Sequence, residues 1–293
     1  MVRPIARIFA ILFYLPALLF AQTFEPFADI HIHYNWTQQS VTKPEDVSRQ
    51  LDQHHVKFAV VSSTPSELAL TLAQHDNRVI PLFSPYINEF SRRTWFIDPQ
   101  VLEEAKAGLK KGLYKGIGEI HFMAGFKPGH DNKIADALFT LAEQYQVPVL
   151  IHVDTSHVKY FAQFCQGYPK VDFLLAHAGG ILGPKHIEEI LKICPNTWIE
   201  LSARDPWRYD RFANEDGSIP QAWLKLIIKN PDRFMTGTDP VWSVTRTQRW
   251  DEDDEGWQHY GQLINFHRSW MKQLPKEVEE KVRLMNAQRF FKR

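Results

Sequence analysis

The chain has 293 residues, with 34 Lys plus Arg against 34 Asp plus Glu, so its formal net charge is zero. Balanced charge without a basic stripe disfavours binding driven by a nucleic-acid backbone. With only two cysteines and no CxxC or Cys/His zinc cluster, sulfur has no visible part in the chemistry.

The first 21 residues read apart from the rest. MVRPIAR carries two arginines and the free amine, residues 8–20 are apolar, and Ala21 closes the run before Gln22. Charge, apolar core and small residue in that order describe a secretory signal. The apolar run is shorter than the ~20 residues that span a bilayer, and Pro16 interrupts it. The expectation is export to the periplasm or medium, with no stable membrane association after cleavage. Residues 22–293 then form one domain, since no repeat or low-complexity linker divides them.

Eight apolar runs read as buried strands: residues 28–34, 57–63, 79–87, 113–121, 147–153, 171–178, 197–202 and 233–239. The spacing between them leaves room for a helix each time, which implies parallel βαβ units. Thr64-Pro65-Ser66-Glu67 has the form of a capping box before LALTLAQH. Pro99 opens a further helix, and Ile134, Ala137, Leu138 and Leu141 make an apolar stripe at helical spacing. Pro184 precedes HIEEILKIC, and Ala222, Trp223, Leu226 and Ile227 repeat the stripe. Residues 276–291 make a closing helix. Eight strand–helix units predict an α/β fold of the (β/α)₈ TIM-barrel type. An open doubly wound sheet is disfavoured because no Gly-rich phosphate loop follows the first strand. Cys165 and Cys194 fall on neighbouring helices, so both a bridge and a pair of buried thiols fit the sequence.

Polar groups recur at the C-terminal ends of these runs. They are His31 and His33 in ADIHIHY, Glu119 in GIGEIH, His152 in VPVLIHVD, His177 in FLLAHAGG and Asp239 in FMTGTD. Side chains alternate along a strand, so His31 and His33 share a face, with Asp29 one step deeper on it. HxH alone is a weak signal. Its recurrence with single His and Asp residues on other strand ends describes a metal-ligand set gathered at one rim. Imidazole and carboxylate without thiolate suit zinc, manganese, iron or nickel, in one or two ions. Asp239 is placed to accept a proton from water. His121, Asp154, Arg204 and Trp242 lie near strand ends and are candidate substrate contacts, with Trp207 beside them.

DIHIH, IHVD, AHAGG and GTD in this order, with the closing LMNAQRFFK, resemble the amidohydrolase superfamily, most closely its amidohydrolase-related (amidohydrolase 2) branch. The resemblance spans the mature chain and implies a distorted (β/α)₈ barrel with a mononuclear or binuclear metal site. It implies that His31, His33 and Asp239 hold a first metal and that His152 ligates the first or a second. It implies for His177 the role of second-metal ligand or catalytic imidazole. Many binuclear members carry a carboxylated lysine on strand four. Here Glu119 stands at the bridging place, as in TatD-like deoxyribonucleases and phosphotriesterase-like lactonases, while Lys115 lies too deep. The implied activity is hydrolysis of an amide, ester, lactone or phosphoester bond of a small molecule, with zinc as the expected ion. The alternative is a metal-dependent decarboxylase or lyase of the same superfamily, whose members often place a glutamate where Asp29 stands. Specificity is expected in the loops 203–219 and 240–260. A homodimer through the outer helices is compatible with the fold.

Overall fold

The computed structural model describes residues 25–125, 127–208, 212–214, 216–244 and 253–291. The expected leader and most of the charged stretch after residue 245 lie outside the described residues. The strands are β1 (Phe27–His33), β2 (Val56–Ser62), β3 (Val79–Pro81), β4 (Ile117–Met123), β5 (Val149–Asp154), β6 (Phe173–Leu175), β7 (Thr197–Glu200) and β8 (Phe234–Met235). All pair in parallel and in chain order, β1 to β3 in one sheet and β4 to β8 in another. Backbone hydrogen bonds cross the gap between β3 and β4, from Gly118 N to the Phe83 oxygen at 2.7 Å and from Lys115 N to the Pro81 oxygen at 2.8 Å. Others cross between β8 and β1, from Ile30 N to the Thr236 oxygen at 3.1 Å and from Asp239 N to the His31 oxygen at 2.7 Å.

Helices α1 (Pro44–Gln53), α2 (Glu67–His75), α3 (Gln100–Lys110), α4 (Lys133–Tyr145), α5 (Val158–Gly167), α6 (Pro184–Ile193) and α7 (Gln221–Lys229) alternate with the strands, and α8 (Tyr260–Met271) follows β8. Each lays an apolar stripe on the sheets, as Leu138, Phe139 and Ala142 do on α4 and Trp223, Leu226 and Ile227 on α7. The expected capping box at the start of α2 does not form, because tertiary contacts take its groups. Thr64 N donates to the Asn35 Oδ1 at 2.8 Å, and Ser66 Oγ exchanges hydrogen bonds with the backbone of Ser84. The helix begins at Glu67 instead.

Two faces of the strands have separate fates. Phe27, Val61, Ile117, Ile151 and Ile199 pack under the helices in the main core. Ala28, Ile30, Val60, Leu82, Leu150, Leu174 and Met235 form a second cluster, joined by Ala287 and Phe290 of the C-terminal helical segment. That segment runs through α9 (Lys276–Glu280), a π-helical turn (Lys281–Met285) and α10 (Asn286–Phe291). Asn286 Nδ2 donates to the Pro231 and Phe234 oxygens, each at 2.8 Å, and Arg283 donates to the Pro26 oxygen. The chain end therefore closes the N-terminal side of the strands and leaves their C-terminal side for chemistry.

Cys165 on α5 and Cys194 just past α6 form a disulfide with 5.7 Å between their Cα atoms. Chain entropy for a 29-residue separation assigns it about 3–4 kcal/mol. The double variant Cys165→Ser/Cys194→Ser should therefore unfold roughly 6–14 °C lower in a thermal melt; an unchanged melt would show the link to carry no stability.

Asp76, at the start of the turn into β3, accepts from Ser48 Oγ (2.9 Å) and from Arg78 N (3.0 Å), Nε (2.9 Å) and Nη2 (2.6 Å). The Arg78 side-chain hydrogen bonds hold its carboxyl down at about 2, against the effect of burial. A lowered folded pKa gives stability that is complete above the unfolded value of about 3.9 and lost as pH falls through about 2. Asp76→Asn should thus melt below the parent at pH 7, and that difference should shrink between pH 4 and pH 2.

Candidate metal centre

The C-terminal ends of β1, β4, β5, β6 and β8 bring their polar residues to one place. On β1 the strand register shifts between Asp29 and Ile32. The simple alternation expected from the sequence breaks there, and Asp29 parts from the histidine face. It accepts instead from Thr238 N (2.9 Å), Thr238 Oγ1 (2.6 Å) and the Tyr260 hydroxyl (3.0 Å), fastening β1 to the β8 end and α8. Gly118 has φ +133°, and a Cβ there would collide with the Leu150 carbonyl, so only glycine lets β4 turn Glu119 inward. Ser62 secures that turn by accepting from Glu119 N at 2.7 Å and donating to the Gly118 oxygen at 2.6 Å. His177 and Asp239 both occupy left-handed backbone, at φ 54° and 49°. Such conformations cost about 1–3 kcal/mol and persist where the surroundings enforce them. Here Glu200 Oε2 accepts from His177 N at 3.2 Å, and Asp239 N donates to the His31 oxygen.

The inner half of the cluster joins His31, His33, His177, Glu119 and Asp239. His31 Nε2 lies 3.0 Å from His33 Nε2 and 3.6 Å from Glu119 Oε1. His177 Nε2 is 3.3 Å from the same Glu119 oxygen, and His33 Nε2 is 3.4 Å from both Glu119 Oε2 and Asp239 Oδ1. Ligands about 2.0–2.1 Å from a tetrahedral ion stand about 3.3–3.4 Å apart, so these separations match edges of a coordination shell. The outer nitrogen of each histidine is held. His33 Nδ1 faces the Ser62 carbonyl at 3.0 Å, and His177 Nδ1 faces the Ser202 carbonyl at 3.1 Å and hydroxyl at 2.9 Å. His31 Nδ1 faces Glu200 Oε2 at 2.9 Å. A carbonyl only accepts, so Nδ1 carries the proton and the Nε2 lone pair points into the cluster. Three lone pairs and two carboxylates converging in this way fit a divalent cation.

Electrostatics agree with that fit. Burial opposes the ionisation of Glu119, but the surrounding imidazoles outweigh it and hold the carboxyl well below the usual range. Glu200, fully buried, is likewise lowered against burial by its hydrogen bond from His31. Asp239 is lowered against burial by His31, His33, His177 and Arg208. Arg208 is itself buried, paired to Asp205 through Nε at 2.8 Å, with Nη1 4.0 Å from Asp239 Oδ2. Buried carboxylates in excess of cations are stable when they coordinate a metal.

The outer half lies across Glu119. Its Oε1 is 3.0 Å from His152 Nδ1 and its Oε2 is 3.3 Å from His121 Nε2. His152 Nε2 meets Asp154 Oδ1 at 3.0 Å, and His121 Nδ1 meets the Tyr86 hydroxyl at 2.6 Å. His121 is thus among the donors rather than simply lining a pocket. Asp154 ends β5 and is 39% exposed at the side chain, which leaves it facing solvent. Burial disfavours a charge on His152, yet its hydrogen bonds to Asp154 and Glu119 raise its pKa to about 10.

Arg204 is a correction. It is buried, stacks 5.4 Å from the Trp223 ring centroid and donates to the carbonyls of His177, Gly180 and Leu182. It braces the loop behind His177, with its guanidinium directed at those backbone carbonyls. Trp242 stands 47% exposed past β8, and Trp207 is half-buried with its ring 5.9 Å from Phe266. Sequence reasoning did not single out Glu200, Ser202, Tyr86 or Arg208. Glu200 and Ser202 stand at the end of the seventh apolar run, as the chosen ligands do on theirs, so position would have found them; the other two carry no local signal.

A family model described as amidohydrolase matches residues 28–293. The chain belongs to the amidohydrolase family. It is thereby an enzyme of that superfamily, as the strand-end motifs implied. No curated protein matches the sequence. Among solved structures, a TatD homolog from Escherichia coli is similar at TM-score 0.62 and 17% identity, over 91% of this chain and 98% of that one. A dihydroxybenzoic acid decarboxylase from Polaromonas, solved with manganese and an inhibitor, gives TM-score 0.56 and 12% identity over 91% and 97%. An amidohydrolase from Burkholderia multivorans with bound zinc gives 0.52 and 14% over 92% and 99%. At these identities the likeness is one of fold.

Glu200 orients His31 without entering the donor set, so Glu200→Gln should leave the fold intact and weaken metal binding about 10–100-fold. Competition against a chromogenic chelator measures it; unchanged affinity would remove Glu200 from the site's design.

Proposed function

We propose that this amidohydrolase is an exported, metal-dependent hydrolase that cleaves an amide, ester, lactone or phosphoester bond of a small molecule at the rim of a (β/α)₈ barrel. The observation that carries the reading is Asp239. One carboxylate oxygen faces His33 in the donor cluster, the other lies toward Arg208, and the side chain keeps 14% exposure toward solvent. A carboxylate held ionised beside the donors and reachable by water is a proton acceptor for hydrolysis.

A divalent ion, when bound, would supply a Lewis acid that lowers the pKa of water from about 15.7 to about 7. His31, His33, His177, Asp239 and Glu119 would hold it, and zinc is the ion that this imidazole-rich set favours. Zinc and manganese in two structures of similar fold support a divalent ion of this kind. Asp239 takes the proton from water and returns it to the leaving group. Arg208 keeps Asp239 ionised and aimed through its hydrogen bonds to the Thr238 (2.8 Å) and Asp239 carbonyls. His177, its Nδ1 fixed on Ser202, presents Nε2 to the reacting side. Export is supported by the sequence order of residues 1–21 and by a disulfide, which persists in oxidising compartments. The lyase alternative loses support from Asp29, whose oxygens are spent on Thr238 and Tyr260 rather than on the cluster.

Asp239→Asn should retain the fold and most of the metal while kcat on a panel of esters, lactones and phosphoesters falls about 10²–10⁴-fold. Equal turnover would overturn the general-base role. Carbon dioxide release from aromatic carboxylates, with no hydrolysis of the panel, would establish the lyase instead.

A further inference from the structure

Among the described residues nine large apolar side chains are exposed, and six of them, Val41, Phe90, Ile97, Met123, Ile181 and Trp242, stand in segments that follow strand ends. Singly such residues need no explanation; gathered at the end that carries the donors, they mark a surface that meets something apolar. One strand leads from the donors to that surface. Glu119, His121 and Met123 succeed one another on one face of β4, the first two with 3% and 40% of the side chain exposed and Met123 with 46%. Two residues on, the chain turns at Gly125 (φ +86°), where a Cβ would meet nothing within 4 Å. Gly125 borders a cavity of about 690 Å³ between the segments after β3 and β4, lined on its apolar side by Phe96, Ile97, Pro128 and Ile134.

The cavity is built before a ligand arrives. Trp95 is buried, with its ring 6.5 Å from Tyr86 and 6.0 Å from Phe122 on the far face of β4, and it fixes the short turn (Trp95–Ile97) that leaves Ile97 67% exposed. Asn132 closes the other side. Its Nδ2 donates to the Phe96 carbonyl at 2.9 Å, while its Oδ1 accepts from Ile134 N and Ala135 N, each at 3.0 Å, at the start of α4. Sites of about 300–1,000 Å³ take small molecules, and apolar walls already in place cost a ligand little ordering. Lys127, Asp131 and Lys133 also border the cavity, but all three are exposed to water, so apolar contact decides what it holds. We propose that this cavity is the subsite for an apolar arm of the substrate, an alkyl chain or aryl ring, which runs from the reacting bond past His121 and Met123. The proposal rests on the hydrolytic reading of the metal centre and narrows its substrates to molecules with a bulky apolar substituent. A wholly polar small molecule would leave Met123, Ile97 and Phe96 uncovered.

The test is calorimetric titration of the zinc-loaded protein with straight-chain hydroxamic acids from acetyl to octanoyl. The hydroxamate head chelates a divalent ion and reports the centre, while the chain reports the subsite. Affinity should rise about two- to fourfold with each methylene, the upper value corresponding to full burial. Ile97→Ser, at an exposed position, should flatten that rise. Leu113→Ser, exposed ahead of β4 at the opposite end of the strands, should keep it. Acetohydroxamate binding with no gain from longer chains overturns the subsite and leaves the centre standing. A gain that Ile97→Ser leaves intact places the arm outside this cavity and overturns the assignment as well. No binding by any member of the series overturns the hydrolytic centre, and the subsite with it.

Discussion

The structure depends on one electrostatic constraint: three imidazole lone pairs and two carboxylates face each other in a nearly dry space. His31 Nε2 and His33 Nε2 are 3.0 Å apart, with Glu119 and Asp239 oxygens 3.4 Å from the latter. Like charges and lone pairs at that range repel, and the repulsion grows as water is excluded. A divalent cation among them would attract each of these donors and offset their mutual repulsion. Much of the surrounding architecture holds the donors in place for that outcome. Ser62 ties β1 to β4 by taking His33 Nδ1 on its carbonyl and the Glu119 amide on its hydroxyl. Glu200 and Ser202 tie β1 to β6 and β7, and Gly237 leaves the space in which Glu200 and His31 meet.

The fold divides labour along the strand axis. Ala287 and Phe290 seal the apolar cluster at the N-terminal side, where Arg283 and Asn286 take the carbonyls of Pro26, Pro231 and Phe234. The C-terminal side carries the bent strand ends of His177 and Asp239, whose backbone cost is met by hydrogen bonds from within the site. Stability is placed at one end and strained chemistry at the other.

Much of this was legible in the sequence because a polar residue ending a buried apolar run has few roles. His31, His33, Glu119, His152, His177 and Asp239 all end such runs, and all arrive in the cluster. What was not legible depends on contacts across the fold. Asp29 left the histidine face because β1 shifts register, which periodicity does not encode. Arg204 follows a strand end as a rim residue would, yet the loop after His177 needed a buried cation for its carbonyls. Thr64 and Ser66 satisfied the form of a capping box, and Asn35 and Ser84 claimed them first. Arg208 and Tyr86 lie in loops whose place is known only once the chain has folded.

The central claim is that the ring nitrogens converge on a metal. X-ray absorption at the zinc edge of the fully loaded protein tests it most directly. The account predicts a first shell of nitrogen and oxygen alone at about 2.0–2.1 Å, with strong outer-shell scattering from several imidazoles. A shell without imidazole scattering, or with sulfur in it, would contradict the account.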